Sequence, residues 1–324
     1  GTPQLTLETG SSDAIVNYSS GSGTNTLTFN YTVASGHNSA DLDYVSTSSL
    51  ALNSGTIKDG AGNNAILTLA APGETNSLAG NADIQIDAQA PTILSISSTV
   101  ENGYYNAGDL IPIIVSFSEI INVVNPITLS QMVNLTLETG ENDIAINYAS
   151  GTGTSNLTFN YIVSAGHTSN DLDYISTNAL TLNNSTITDI AGNPAVVTLP
   201  APGETNSLGA NKAIVIDTES PTITSVTSSA LDGTYKVDDV IPILVTFSEA
   251  VFVTDVPQLT LETGEIDAVA SYASGSETTT LTFNYTVLQG HTSLDLDYVS
   301  TEALALNGGT ILDIAQNTSV LTLP

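Results

Sequence analysis

The chain has 324 residues and 41% hydrophobic content, enough for two or three units that each bury a core. It sets 33 Asp and Glu against only three basic residues, Lys58, Lys212 and Lys236, for a net charge of -30. That balance excludes nucleic-acid binding by phosphate neutralisation and electrostatic anchoring on an anionic membrane, and it favours divalent cations.

Cysteine is absent, so disulfides and thiolate metal sites are excluded. No stretch approaches the roughly 20 apolar residues of a membrane span, so no membrane insertion is expected from this segment. The opening GTPQLTLETG carries neither an initiating methionine nor a signal segment, which predicts a processed or excised part of something longer.

The first predicted strand opens on LTLETG at 5–10, a word that returns at 135–140 and 259–264, steps of 130 and 124 residues. Next comes TLTFNYTV, in which Leu27, Phe29, Tyr31 and Val33 share one face and Thr28, Asn30 and Thr32 the other, the period of a half-buried strand. Its TFNY core recurs at 158–161 and 282–285. GHNSADLDYVSTSSLALN follows at 36–53, with near-copies at 166–183 and 290–307. KDGAGN then carries Asp59 and Asn63, and a closing segment leads to the proline junction QIDAQAPTI at 85–93.

The middle copy adds IPIIVSFSE, with Ile111, Ile113, Val115 and Phe117 on one face, and an insertion of six residues in NVVNPITLSQMVN. The junction VIDTESPTI at 215–223 leads to IPILVTFSE, where Ile241, Ile243, Val245 and Phe247 repeat the pattern. No segment shows a sustained helical period. An all-β chain is therefore expected, built as tandem immunoglobulin-like antiparallel sandwiches of seven or so short strands. The repeats place an N-terminally incomplete unit at 1–89, a complete one at 90–219 and a C-terminally incomplete one at 220–324.

Carboxylates recur at fixed places in the units. Glu119 and Glu249 end the FSE strand, and Asp87 and Asp217 end the ID strand at each junction. Asp59, Asp189 and Asp313 each have an asparagine four residues on, Asn63, Asn193 and Asn317. Calcium takes six to eight hard oxygens from carboxylates, amide carbonyls and backbone, so a junction where one unit's ID meets the next unit's FSE is a candidate site. Turn chemistry explains the same residues without a metal, because Asp and Asn bond their own backbone.

DLDY reads either as two carboxylates on one strand face, Asp41 and Asp43 in the first copy, or as a corner. In the corner, Tyr44, Tyr174 or Tyr298 caps backbone while the aspartates face solvent or accept turn hydrogen bonds. His37, His167 and His291 stand one per unit with no second imidazole, which disfavours zinc, copper and a catalytic triad. An active site is needed once per catalytic domain, whereas a corner is needed in every copy, so no enzyme is expected.

PTITSVTSS, GTYKVDDVIPILVTFSEAV, DIAGN and AIVIDT together resemble the bacterial Ig-like repeats of large surface proteins and adhesins, and the resemblance runs over essentially the whole chain. It implies exported, tandemly repeated stalks at the cell surface, often stiffened by calcium at domain junctions. Two alternatives stand beside the stalk. One is a fibre subunit whose chains complete each other's open sandwiches, so that partners are neighbouring repeats of the same or an identical chain. The other is a module for a surface glycan or protein receptor, with Asn125–Met132 and Glu101–Asp109 as the segments that differ most between copies.

Overall fold

The computed structural model describes residues 1–125 and 132–324, and nearly all its regular structure is β. The insertion within Asn125–Met132 falls almost entirely outside the described residues. Buried apolar side chains gather in three separate clusters. One runs from Ile96 to Ile216, a second from Ile241 to Leu323, and a third, of only five buried residues, from Leu7 to Ile86. Each cluster falls within one of the three repeats.

The middle repeat is organised around the strand Leu110–Val124. Its first half pairs with Thr154–Ile162 on one edge and Ile93–Ser98 on the other, both antiparallel. Beyond Ser116 the register shifts, and residues 122–124 pair instead with Thr186–Thr188. A strand that changes neighbours midway curls its sheet, and that curl encloses the core. Alternation does the filling: Ile111, Ile113, Val115 and Phe117 are buried, as are Leu157, Phe159 and Tyr161 on the neighbouring strand and Val163 just beyond its end. Pro112 sits one residue beyond the last partner in Ile93–Ser98, where a missing N–H disturbs the ladder least. Thr154–Ile162 continues through Ile144–Ser150 and Asn134–Leu137 to Leu180–Thr181.

The repeated words now have local causes. In LETG, the Thr139 hydroxyl donates to the Asn142 carbonyl at 2.9 Å and Glu138 accepts the Gly140 N–H at 3.1 Å, which builds a turn. At Gly151, with φ +119°, a Cβ would lie 2.0 Å from the Asn156 carbonyl oxygen, so only glycine lets the chain double back between strands.

Among the described residues the antiparallel expectation has two exceptions in the middle repeat, the parallel pairing of Ile214–Ile216 with Gly103–Tyr105 and a single parallel bridge between Thr92 and Val196. Ahead of Ile214 the chain makes one helical turn, Leu208–Asn211, capped by the Ser207 hydroxyl accepting from Ala210 N–H.

The third repeat copies this plan, with Val240–Thr254 between Ile223–Ser228 and Thr278–Thr286. The first repeat departs from it. Its TFNY strand, expected over eight residues, is reduced to Thr28–Phe29, and Val33 is exposed. The physical reason is an unpaired edge: residues 1–89 contain no counterpart of Leu110–Val124 for it to pair with.

Candidate metal centre

Each of two junctions gathers three carboxylates. One oxygen each from Asp87, Glu119 and Asp189 lies within 4.8 Å of the others, and Asp217, Glu249 and Asp313 repeat the arrangement. Three elements deliver each cluster. The ID strand closing one repeat brings Asp87 or Asp217. The long strand of the next repeat brings Glu119 or Glu249. The turn after Thr186–Thr188, or after Thr310–Leu312, brings Asp189 or Asp313. Asp189 and Asp313 are buried, at 2% and 0% exposure, while Glu119 and Glu249 are half-buried.

The asparagines lock these turns. Asn193 donates its backbone N–H to Asp189 Oδ1 at 2.8 Å and its side-chain Nδ2 to Asp189 Oδ2 at 2.7 Å. The same Nδ2 reaches across the junction to the Asp87 carbonyl at 3.0 Å. Asn317 does likewise with Asp313, at 2.8 and 2.9 Å, and with the Asp217 carbonyl at 3.0 Å. Asn193 and Asn317 point their NH₂ groups at the acids, so their role is to position the aspartates and to tie one repeat to the next.

Asp59 and Asn63 form the same turn, with bonds of 2.8 Å from both nitrogens, but no further acid joins them. Residues 1–89 contain no counterpart of the FSE strand, so the turn stands without the glutamate that joins the other two clusters.

Charge is poorly balanced in both clusters. Burial, and then the neighbouring Asp87 and Asp189, push the Glu119 carboxyl above the ordinary glutamate range. Burial, followed by Asp217, Asp313 and Glu219, does the same to Glu249. No lysine offsets this. Lys212 Nζ bonds the Val100 carbonyl at 2.7 Å, and the one ion pair among the described residues is Lys236–Asp239 at 3.4 Å. At Asp59, by contrast, hydrogen bonds from the Asn63 side chain and backbone hold the carboxyl below its usual range.

Chemically, three crowded hard-oxygen donors with both Asp189 oxygens already held in place offer a preorganised half-shell for a divalent cation, with water left to complete it.

DLDY resolves as a corner. The Tyr44, Tyr174 and Tyr298 hydroxyls donate to the carbonyls of Ala70 (2.6 Å), Pro200 (2.7 Å) and Pro324, each 26 residues downstream. Asp43 is buried and accepts from the backbone N–H groups of Tyr44 (2.9 Å) and Gly73 (2.9 Å); Asp173 does the same with Tyr174 and Gly203. Burial works against the Asp43 carboxylate, but the Gly73 and Tyr44 amides outweigh it and hold its carboxyl low. Asp41 is exposed and Asp43 is turned inward, so the two do not act as a carboxylate pair.

The histidines are likewise structural. The Nδ1 atoms of His37, His167 and His291 meet the hydroxyls of Tyr31, Tyr161 and Tyr285 at 2.7, 2.9 and 3.0 Å, with the rings stacked.

Glu101–Asp109 contains the strand Gly103–Tyr105, with the Tyr105 hydroxyl donating to the Glu101 carbonyl at 2.7 Å. No helix among the described residues is long and apolar enough to cross a membrane. No protein-family profile matches the chain, and no curated protein is significantly similar to it.

Sequence reasoning named every acid of the two clusters, but not the Asn193 and Asn317 bonds to the Asp87 and Asp217 carbonyls. The available signal was the recurrence of asparagine four residues after each aspartate in all three copies.

Proposed function

We propose that the chain is a structural segment of an extracellular repeat protein, an Ig-like adhesin stalk that spans distance at the cell surface and is stiffened by calcium at its junctions. The observation that carries this reading is the pair of equivalent acidic clusters, each joining an aspartate from the end of one repeat to a glutamate and a buried aspartate of the next. A cation held there bonds both repeats at once and offsets the burial, and then the repulsion, that lift Glu119 and Glu249. A string of such units adds length with each repeat and needs contacts only between neighbours. Recurrence of the Tyr–His and DLDY corners in every copy supports a scaffold role for these residues rather than catalysis.

Calcium titration of the whole chain by calorimetry tests the proposal. Two ions per chain are expected, and the Glu119→Gln/Glu249→Gln double variant should lose both. Absence of binding at millimolar calcium would overturn the metal and remove the main support for a stiffened stalk.

A further inference from the structure

In the middle repeat the closing segment Ala201–Asp217 is the last piece of the core. Leu208, Ile214 and Ile216 are buried at 0–2% exposure. Its backbone is held from both sides. Leu172 and Ser169 N–H donate to the Ile214 and Ile216 carbonyls at 2.8 and 2.9 Å on one side. On the other, Ile96 N–H donates to the Asn206 carbonyl at 2.9 Å and Gly103 N–H to the Ala213 carbonyl at 3.0 Å. Polar side chains fix the register: Gly203 N–H donates to Asp173 at 2.9 Å, Ala213 N–H to Asn102 at 3.1 Å, and Asn211 Nδ2 to the Ile96 carbonyl at 2.6 Å.

The third repeat has every receiving group, and among the described residues no segment lies between them. Counterparts of Ile96, Tyr105, Leu137, Tyr161, Leu172 and Tyr174 are Val226, Tyr235, Leu261, Tyr285, Leu296 and Tyr298, and they line an open groove of about 790 Å³. Their surroundings have loosened accordingly. Leu172 and Tyr174 are fully buried, whereas Leu296 and Tyr298 are half-exposed. Residues 103–105 form a strand, whereas 233–235 do not. Asp173 is buried and accepts from Gly203, whereas Asp297 is exposed and accepts only the Tyr298 N–H at 2.9 Å. Asp232 stands where Asn102 accepts the Ala213 N–H, and a carboxylate accepts the same bond.

We propose that this groove is an acceptor for a polypeptide segment of the closing type, reading A-P-G-E-T-N-S-L followed by an I-x-I-D strand. The groove is apolar where Leu208, Ile214 and Ile216 would enter, and it presents acceptors at the segment's Gly203 and Ala213 N–H positions. Gly233–Tyr235 offers the edge for a short parallel pairing like that of Gly103–Tyr105 with Ile214–Ile216. A bound segment also carries at its end the aspartate that, as Asp87 and Asp217, opens the acidic clusters at both existing junctions. Its capture therefore finishes a repeat and presents the first ligand of a further junction.

The test titrates a synthetic peptide of residues 201–218 into the whole chain in chelator, so that the outcome is independent of calcium. The expected result is saturable one-to-one binding, amide exchange slowed tenfold or more at Val226, Gly233 and Leu296, and a rise of several degrees in the melting of the third repeat. A scrambled peptide and one carrying Ile214→Asp and Ile216→Asp should not bind, and neither change touches the folding of the chain itself. Absence of binding, or equal binding by the scrambled peptide, would overturn the proposal. So would a groove already protected in concentrated protein by a second copy of the chain, since that copy would then be the occupant.

Discussion

The strand Thr154–Ile162 and its counterpart in the first repeat share the word TFNY, yet one runs nine residues with Phe159 and Tyr161 fully buried, while the other keeps two residues and leaves Phe29 and Tyr31 half-exposed. The difference is a neighbour. Leu110–Val124 pairs with Thr154 and with residues 156–162, and residues 1–89 contain no such strand. Local pattern marks which residues can form a strand, but a partner decides how many do.

The sharpest way to break this comparison is to remove the same side chain in both settings. Ile214→Ala empties a fully buried site and should cost the middle repeat about 3 kcal/mol. Ile84→Ala, at the equivalent position but 38% exposed, should cost the first repeat less than about 1 kcal/mol. Native-state hydrogen exchange reads each loss separately at Leu172 and Leu42, whose N–H groups bond the carbonyls of these two isoleucines. Equal losses would mean that the first repeat is as well packed as the middle one.

A smaller contrast lies in the Tyr–His corner. Tyr161→Phe removes a hydroxyl whose partner, His167 Nδ1, is left with only the Ser164 N–H at 3.4 Å, and should cost about 1 kcal/mol. Tyr31→Phe, where water reaches the same pair, should cost a few tenths of that. Denaturant midpoints of the two variants, followed repeat by repeat, check the difference.

The smallest effects sharpen the comparison at the acids, where the sign reverses between repeats. The Glu119 and Glu249 carboxyls are raised in the fold, so the folded state binds more protons there than the unfolded chain. Without calcium, stability should fall as pH rises from about 4.5, the ordinary glutamate value, through the raised folded value. Glu119→Gln in chelator should therefore raise the melting temperature of the middle repeat by about 2 °C, and in calcium it should lower it. Asp59 is shifted the other way. Its turn contributes stability that is present above about 3.8 and lost as pH falls through the lowered folded value, and Asp59→Asn should weaken the first repeat with or without calcium. Calorimetric scans from about pH 2 to 7 cover both windows and distinguish the two signs.

Much of this was legible in the residues. Alternation in IPIIVSFSE and TLTFNY gave the buried faces correctly, because burial on a sheet follows parity. The recurrence of GHxSxDLDY pointed to a corner, and Tyr44 and Tyr174 duly bond backbone 26 residues away. The acids of the clusters were identifiable because ID and FSE recur around each junction, although Glu119 and Glu249 do not end their strands as expected: these run on to Val124 and Thr254.

Three things were not legible. The inward turn of Asp43 and Asp173 depends on amides thirty residues downstream at Gly73 and Gly203, a contact that only the folded chain creates. The donor role of Asn193 and Asn317 depends on which end of a side-chain amide faces the acid. The parallel pairing of Ile214–Ile216 with Gly103–Tyr105 joins segments 111 residues apart, beyond the reach of any local pattern.

The most direct test of a calcium-locked junction is small-angle scattering of the whole chain, with calcium and then with chelator. Calcium should lengthen the maximum dimension and sharpen the distribution of distances, and the Glu119→Gln/Glu249→Gln variant should show neither change. Identical curves in calcium and chelator, with calcium shown to be bound, would contradict a cation that fixes one repeat against the next.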